Sequence, residues 1–194
     1  MVPPFLFFIM KKILLLSFLL LSIIVKGQDQ VSFKLTQTGF CSNDGKDYIV
    51  VPFEGKNAHD IFLSLCSNIN GLYKNPQNVM SVVDDTSISI RAYDEKISST
   101  NAMLGMHIWL GGYYNLVFQI KDGRVRVSAP IIDEELTNMA NSQKAAPFSS
   151  YLKSWFKKGE VKEKSKKHQK HTEDNMNSII NSILFYQGSN GDNW

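Results

Sequence analysis

The chain has few of the residues that build most catalytic and metal sites, since its 194 residues include only 2 cysteines and 4 histidines. Cys41 and Cys66 are separated by a spacing that matches no metal-binding cluster. The sequence also lacks a Gly-x-Ser-x-Gly motif for a serine nucleophile. We therefore expect no cofactor and no bound metal, and the sequence assigns no catalytic residue.

The N-terminal segment has the pattern of an export signal. Lysines at 11 and 12 precede an apolar run at 13–25, which is too short to span about 30 Å of hydrocarbon. We predict a start at Met10 and cleavage after Gly27, with the mature chain exported to the periplasm or the exterior. A start at Met1 would leave a membrane anchor as the alternative. An oxidising compartment would permit a Cys41–Cys66 disulfide, and the sequence leaves that pairing open.

The mature chain has no excess of positive charge. The whole sequence carries 21 basic and 18 acidic residues, and three of the lysines lie in the predicted signal. This balance argues against nucleic-acid binding, which requires an excess of cations. Residues 153–171 are nevertheless rich in lysine, so we predict a flexible, solvated segment there. Its candidate contacts to an anionic membrane or polysaccharide are Lys162, Lys164, Lys166, Lys167 and Lys170.

The spacing of apolar residues predicts an α+β fold with two layers, in which an antiparallel sheet carries helices on one face. We assign one domain to residues 28–194. Residues 94–112 are predicted to be a long connection that packs as a flap. In chain order the predicted elements are an edge strand at 31–35, a strand at 46–53, a helix at 58–73, a hairpin of strands 79–83 and 87–93, a hairpin of strands 113–121 and 124–132, a short helix at 133–143 and a helix at 173–186.

The second predicted hairpin carries the most specific local motif. Asp122-Gly123 is a strong two-residue turn signal, and pairing outward from it places Phe118 opposite Val127 and Gln119 opposite Arg126. One face of this hairpin is then entirely apolar, which fixes its register.

The hairpin motif Lys121-Asp122-Gly123-Arg124-Val125-Arg126, with the segments 48–53, 60–73 and 78–84, resembles a family of small exported Bacteroidetes proteins. That family is described as a domain of unknown function with a TBP-like fold. Val125 stands where the family usually has an aromatic residue, and no stretch after residue 132 follows the family pattern. The resemblance implies a TBP-like fold and export, and it implies no activity.

The face of the sheet opposite the helices is the candidate binding site. We call it the open sheet face, and we assign to it Arg91, Tyr93, Tyr113, Asn115, Gln119, Arg124 and Arg126. Arginine and tyrosine are enriched at interfaces because they combine large contact area with hydrogen bonding. A solvated face with ordinary cross-strand pairs is the alternative. The apolar residues of the flap, Trp109 above all, are a second candidate contact.

Two functions from different classes follow. The leading hypothesis is an exported, non-enzymatic binding module of the bacterial cell envelope that uses the open sheet face. The alternative is an envelope hydrolase or accessory enzyme whose site lies around His107 and either Asp84 or Asp85. His168-x-x-His171 has the helical spacing of metal ligands, but the surrounding lysines disfavour a cation.

Overall fold

An antiparallel sheet forms the centre of the computed structural model, which describes residues 30–186. The predicted signal at 1–27, its start at Met10 and its cleavage after Gly27 lie outside the described residues. No helix between residues 30 and 186 is long and apolar enough to cross a membrane. The strands of the sheet are β3 (Tyr48–Pro52), β4 (Met80–Val83), β5 (Ser87–Asn101), β6 (His107–Lys121), β7 (Arg124–Ser128), β8 (Ile131–Asn138) and β9 (Gln143–Lys144).

The order of strands across the sheet is β3-β7-β6-β5-β4, and β8 pairs with β6 beyond the end of β7. Within residues 30–186, three α-helices accompany it: α1 (Ala58–Leu72), α2 (Phe148–Trp155) and α3 (Lys166–Phe185). Two small hairpins lie apart from the sheet: β1 (Lys34–Thr36) with β2 (Gly39–Cys41), and β10 (Phe156–Lys157) with β11 (Glu160–Val161). The predicted α+β class with an antiparallel sheet is confirmed.

The register predicted for the β6–β7 hairpin is confirmed. Phe118 pairs with Val127 and Gln119 pairs with Arg126. Gly123 has a φ of +72°, the left-handed conformation that glycine adopts without strain. Phe118 and Val127 are completely buried against the helices, whereas Gln119 is exposed. The two faces of the sheet therefore differ as the alternation predicts.

Helix α1 begins where the sequence predicts. The Asn57 side chain accepts a hydrogen bond from the Asp60 N–H at 2.8 Å, and the Asp122 carboxylate accepts one from the Ala58 N–H at 2.7 Å. A carboxylate at a helix N-terminus is favoured by the helix dipole. The β6–β7 turn is thereby fastened to α1.

The prediction of a long connection at 94–112 is wrong. Strand β5 continues to Asn101 and β6 starts at His107, with only the short turn Met103–Gly105 between the main strands. A bulge hides the continuity, because the pair Asp94–Gly112 is followed by the pair Ser98–Leu110. The extra residues on β5 break the alternation of apolar and polar side chains.

The prediction of a short helix at 133–143 is also wrong, since these residues form most of β8 and its hairpin with β9. Ile132 pairs with Tyr114 and Leu136 pairs with Gly112, with a register shift between the pairs. In a regular strand Glu134 would share the buried face of Ile132 and Leu136, but at the bulge Glu134 is exposed. The buried residues therefore recur only every fourth position, which is the spacing of a helix. A Cβ at Gly112 would lie 2.6 Å from the Leu136 side chain, so glycine permits this close packing.

The charged segment 153–171 is ordered, which corrects the prediction of a flexible linker. It contains the end of α2, the β10–β11 hairpin and the first turns of α3. Trp155, Phe156 and His168 are buried between lysines that face solvent. The high lysine content conceals this alternation, because long cationic side chains cover apolar neighbours while their ends stay in water.

Residues 31–35 form an extended segment that we call the N-terminal strap. The sequence predicts an edge strand here, and Lys34 and Leu35 do belong to strand β1, which pairs with β2. Side chains of α3, however, bind the backbone of the strap over most of its length. Four helical residues rise about 6 Å and two extended residues about 6.6 Å, so every fourth residue of α3 meets every second residue of the strap. The Asn181 side chain bonds to the N–H and C=O of Val31 at 2.8 and 2.7 Å. The Asn177 side chain bonds to the N–H and C=O of Phe33 at 2.8 and 2.9 Å. At Leu35 the Glu173 carboxylate accepts from the N–H at 2.6 Å, and the Gln169 amide donates to the C=O at 3.0 Å.

The two cysteines are free thiols in this structure. Cys66 is partly buried on α1, and this burial raises the pKa of its thiol. A thiol partly buried on a helix in this way packs as a small hydrophobic side chain.

Candidate binding surface on the open sheet face

The arginines and tyrosines assigned to the open sheet face are exposed on the side opposite the buried residues of the same strands. Tyr93 and Tyr113 keep 42% and 43% of their surface accessible. Their predicted placement is confirmed, and a binding role remains a prediction. The face divides into two groups of side chains with different charge.

The first group surrounds Tyr113. The rings of Tyr93 and Tyr113 meet edge to face at 5.2 Å, and the Arg91 guanidinium lies 4.4 Å from the centre of the Tyr113 ring. Arg91 also forms an ion pair with Asp133, and Asn115 donates a hydrogen bond to the same carboxylate at 2.8 Å. The charge of Arg91 is thus compensated within the face.

The second group forms an open depression of about 180 Å³ that we call the basic depression, lined by Val50, Gln119, Lys121, Arg124 and Arg126. The Arg126 guanidinium lies 4.1 Å from the centre of the Tyr48 ring, so stacking holds this cation in place. Within residues 30–186, neither Lys121, Arg124 nor Arg126 has a carboxylate partner within 4.0 Å. The depression therefore carries uncompensated positive charge.

Sequence reasoning missed Tyr48, Val50 and Lys121 as members of this surface. Val50 pairs with Arg126 because β3 lies beside β7, a contact between strands that are far apart in the chain. The alternation of β3 indicates which of its residues share a face, but it does not indicate which strand lies next to it.

Strand β3 also has an unpaired edge. The Phe53 N–H donates to the Gly123 carbonyl and the Ala129 N–H donates to the Asp47 carbonyl, both at 2.8 Å, so the odd-numbered residues of this segment direct their backbone groups toward β7. The even-numbered residues Tyr48, Val50 and Pro52 direct theirs the other way. Among the described strands, none pairs with that edge.

Trp109 lies in a different environment from the basic depression. Its ring is 4.5 Å from the His107 ring and 4.7 Å from the His171 ring, beside the first turns of α3. His107 in turn stacks on His168 at 5.7 Å, and His168 stacks on Trp155 at 6.0 Å. These contacts place Trp109 in a histidine cluster at the far end of the β5–β6 hairpin.

His168 is the buried member of this cluster. Its Nδ1 is 2.8 Å from the Ser99 hydroxyl, and its Nε2 has no hydrogen-bond partner within the described part of the chain. Burial lowers the pKa of His168 to about 4, and the nearby charges of Lys167, His107 and His171 act in the same direction. We infer that His168 is neutral in the folded protein at pH 7.

The buried imidazole gives a pH prediction. An unfolded histidine has a pKa of about 6.5, so between pH 6.5 and 4 the residue is protonated in the unfolded chain and neutral in the folded one. This difference should cost about 1 to 3 kcal/mol of unfolding free energy as the pH falls through that interval. Urea denaturation at pH 7 and pH 4.5 would measure the unfolding free energies of the wild type and of His168→Asn. The asparagine does not titrate, but it keeps a polar atom near Ser99.

The wild type should therefore exceed His168→Asn in unfolding free energy by less at pH 4.5 than at pH 7. Burial raises the pKa of Glu173, so protonation of that residue acts in the opposite sense. Glu173 is present in both proteins and cancels in the comparison. If the difference in unfolding free energy between the two proteins stays constant from pH 7 to 4.5, His168 is not a buried, neutral imidazole in the folded protein.

The structure does not assemble the enzymatic alternative. Asp84 and Asp85 lie in the turn between β4 and β5, and Asp85 pairs with His59 of α1 at 2.6 Å. His107 lies at the opposite end of the β5–β6 hairpin. The Ser99 hydroxyl beside His168 is completely buried and so is inaccessible to a substrate. Between residues 30 and 186 no three His, Cys, Asp or Glu side chains are grouped to hold a metal ion.

The comparisons with known proteins concern the fold. No protein-family model matches the chain, and no curated protein sequence does. The crystal structure of a DUF4468 family protein from Bacteroides ovatus aligns with a TM-score of 0.50 and 14% identity, over 70% of this chain and 81% of that one. This chain shares the fold of the DUF4468 protein.

A second crystal structure, of a TBP-like protein from Parabacteroides distasonis, aligns with a TM-score of 0.47 and 10% identity, over 71% of this chain and 88% of that one. The resemblance to Bacteroidetes proteins of unknown function is confirmed at the level of the fold. Neither description states an activity. The function of this chain therefore has to be argued from its own surface.

Proposed function

We propose that this chain is an exported, non-enzymatic binding module of the bacterial cell envelope, and that its open sheet face is the contact surface. The main support for this proposal is the basic depression, where Lys121, Arg124 and Arg126 lie together without carboxylate partners in the described residues. Like charges held close together repel one another, and a partner that supplies negative charge would relieve that repulsion.

Exposed apolar surface on the same face supports the proposal. Val50 is 48% and Ile131 is 63% exposed; Val50 pairs with Arg126, and Ile131 pairs with Asn115 of the same face. Large apolar side chains surrounded by arginine and tyrosine are typical of the centre of an interface. A face that only meets solvent gains nothing from this arrangement.

Export is proposed from the charged and apolar pattern of residues 11–25 alone. Intact mass of protein purified from the native envelope would test it. Material that begins at Gln28 is the expected result, and material that retains residues 10–27 would contradict cleavage.

The experiment for function is affinity capture from the native envelope with matched charge variants. The first variant combines Lys121→Ser, Arg124→Ser and Arg126→Ser. We expect it to lose capture while its melting temperature stays near that of the wild type, because all three side chains are exposed. Arg91 is left intact because its loss would leave Asp133 unpaired.

The control removes the same charge from the lysine-rich segment, at Lys153, Lys164 and Lys167, which are exposed and have no ion pair among the described residues. It should capture as the wild type does. Capture lost in the control and kept in the first variant would place the contact on the lysine segment. A wild type that captures nothing would overturn the binding function itself.

A further inference from the structure

The free edge of β3 and the basic depression lie side by side. Val50 belongs to both, since its side chain lines the depression and its backbone N–H and C=O face the unpaired edge. Tyr48 offers the same two backbone groups, and Pro52 offers only its C=O because proline has no N–H. An exposed strand edge of this kind is a template for pairing with another extended chain.

We propose that the free edge of β3 binds an extended acidic peptide segment as an additional strand, with its alternate carboxylates directed to the basic depression. The inference rests on the proposed function of the open sheet face and specifies its ligand. Backbone hydrogen bonds along the edge supply affinity, and the pockets that receive alternate side chains supply specificity.

Sheet geometry makes both contacts available to one peptide. A strand added to β3 would lie about 4.8 Å from it, and every second side chain would point to the open sheet face. Arg126 pairs with Val50 in the next strand, β7. A carboxylate beside Val50 would lie on the same face as the guanidinium of Arg126, with only the short valine side chain between them. Paired hydrogen bonds between arginine and carboxylate fix the orientation of such a contact.

The other edge of the sheet, β4, explains why the acidic segment is assigned to β3. Val82 of β4 also directs its backbone groups outward. The backbone N–H of Arg91 on β5 donates to the carbonyl of Val79, so the odd-numbered residues of β4 face β5 and the even-numbered ones face the free edge. The turn at the end of β4, however, carries Asp84 and Asp85. Carboxylates at that position repel an acidic chain. Asp47 and Glu54 flank the ends of β3, but Lys121, Arg124 and Arg126 lie beside its centre at Val50 and attract an acidic chain there.

The test uses a fluorescent, end-capped peptide in which glutamate alternates with threonine, and the purified mature protein. Val50→Pro removes an outward N–H without removing a hydrogen bond to β7, and should weaken binding at least tenfold. Val82→Pro is the matched control, since both valines are 48% exposed and both N–H groups face a free edge. It should leave the affinity unchanged. Thermal melts would confirm that both variants fold.

Two further arms separate the parts of the proposal. A peptide in which glutamine replaces glutamate should bind the wild-type protein at least tenfold more weakly than the glutamate peptide does. The glutamate peptide should bind the protein with Lys121→Ser, Arg124→Ser and Arg126→Ser at least tenfold more weakly than it binds the wild type. Equal binding to Val50→Pro and wild type, with loss in the charge variant, would overturn strand addition and leave the binding face intact. Sulfated polysaccharide and inorganic phosphate, each added at the same concentration of negative charge as the peptide, should not displace it. Displacement by either would contradict the proposal that the ligand is a peptide. A wild-type protein that captures nothing from the envelope would overturn the proposed function as well.

Discussion

Replacing Phe118 with alanine should lower the free energy of unfolding by about 3 to 5 kcal/mol. Phe118 lies in the middle of β6, is completely buried, and pairs with Ile88 of β5 on one side and Val127 of β7 on the other. Removing its ring leaves a cavity that neighbours fixed in three strands cannot fill. Urea denaturation monitored by circular dichroism would measure the loss.

Gln119→Ala is the matched control on the next residue. Gln119 is exposed on the open sheet face, so this change should alter the unfolding free energy by less than about 1 kcal/mol. Similar losses at both positions would mean that both faces of the sheet are covered in the folded protein. The open sheet face would then be unavailable to a partner.

The double change Asn177→Ala and Asn181→Ala should cost about 2 to 6 kcal/mol, because each asparagine satisfies both backbone groups of a strap residue. Without them the N–H and C=O groups of Val31 and Phe33 lose their partners at a site where both side chains are buried. The strap should detach first. Thermal unfolding and limited proteolysis near residue 31 would detect the loss.

Ser178→Ala is the control for this pair, since Ser178 is exposed on the same helix between the two asparagines. It should change stability by less than about 0.5 kcal/mol. If the double variant proves as stable as Ser178→Ala and its strap as resistant to protease, the side-chain contacts do not hold the strap.

The elements that the sequence predicts correctly are those fixed by local chemistry. Helix α1 has a side-chain cap at Asn57 and an unbroken helical spacing of apolar residues. The β6–β7 hairpin has a two-residue turn and alternating strands that allow one register. In both cases the information lies within a few residues of the feature.

The elements that the sequence predicts wrongly depend on interactions that the local pattern does not contain. The bulges of β5 and β8 disturb the period of two, so one strand is read as a connection and the other as a helix. The strap resembles an edge strand because Val31, Phe33 and Leu35 alternate with polar residues. Its partner is a row of helix side chains, which no strand pattern indicates.

The candidate site shows the same division. Arg91, Gln119, Arg124 and Arg126 follow from the alternation of β5, β6 and β7, and the structure brings the last three together. The depression requires β3 beside β7, which is a long-range contact. Trp109 is predicted as a contact of the flap because it is large and apolar, and the structure places it among histidines at the end of the β5–β6 hairpin.

The most direct test of strand addition at β3 is amide hydrogen exchange of the mature protein with and without its envelope partner, resolved by residue. The amides of Tyr48 and Val50, which face the free edge, should exchange rapidly in the free protein and slowly in the complex, and residues 119–126 should also be protected. The amides of Ile49 and Val51, which face β7, should be slow in both states. Protection confined to residues 153–171, with Tyr48 and Val50 unchanged, would contradict strand addition and place the contact on the lysine-rich segment.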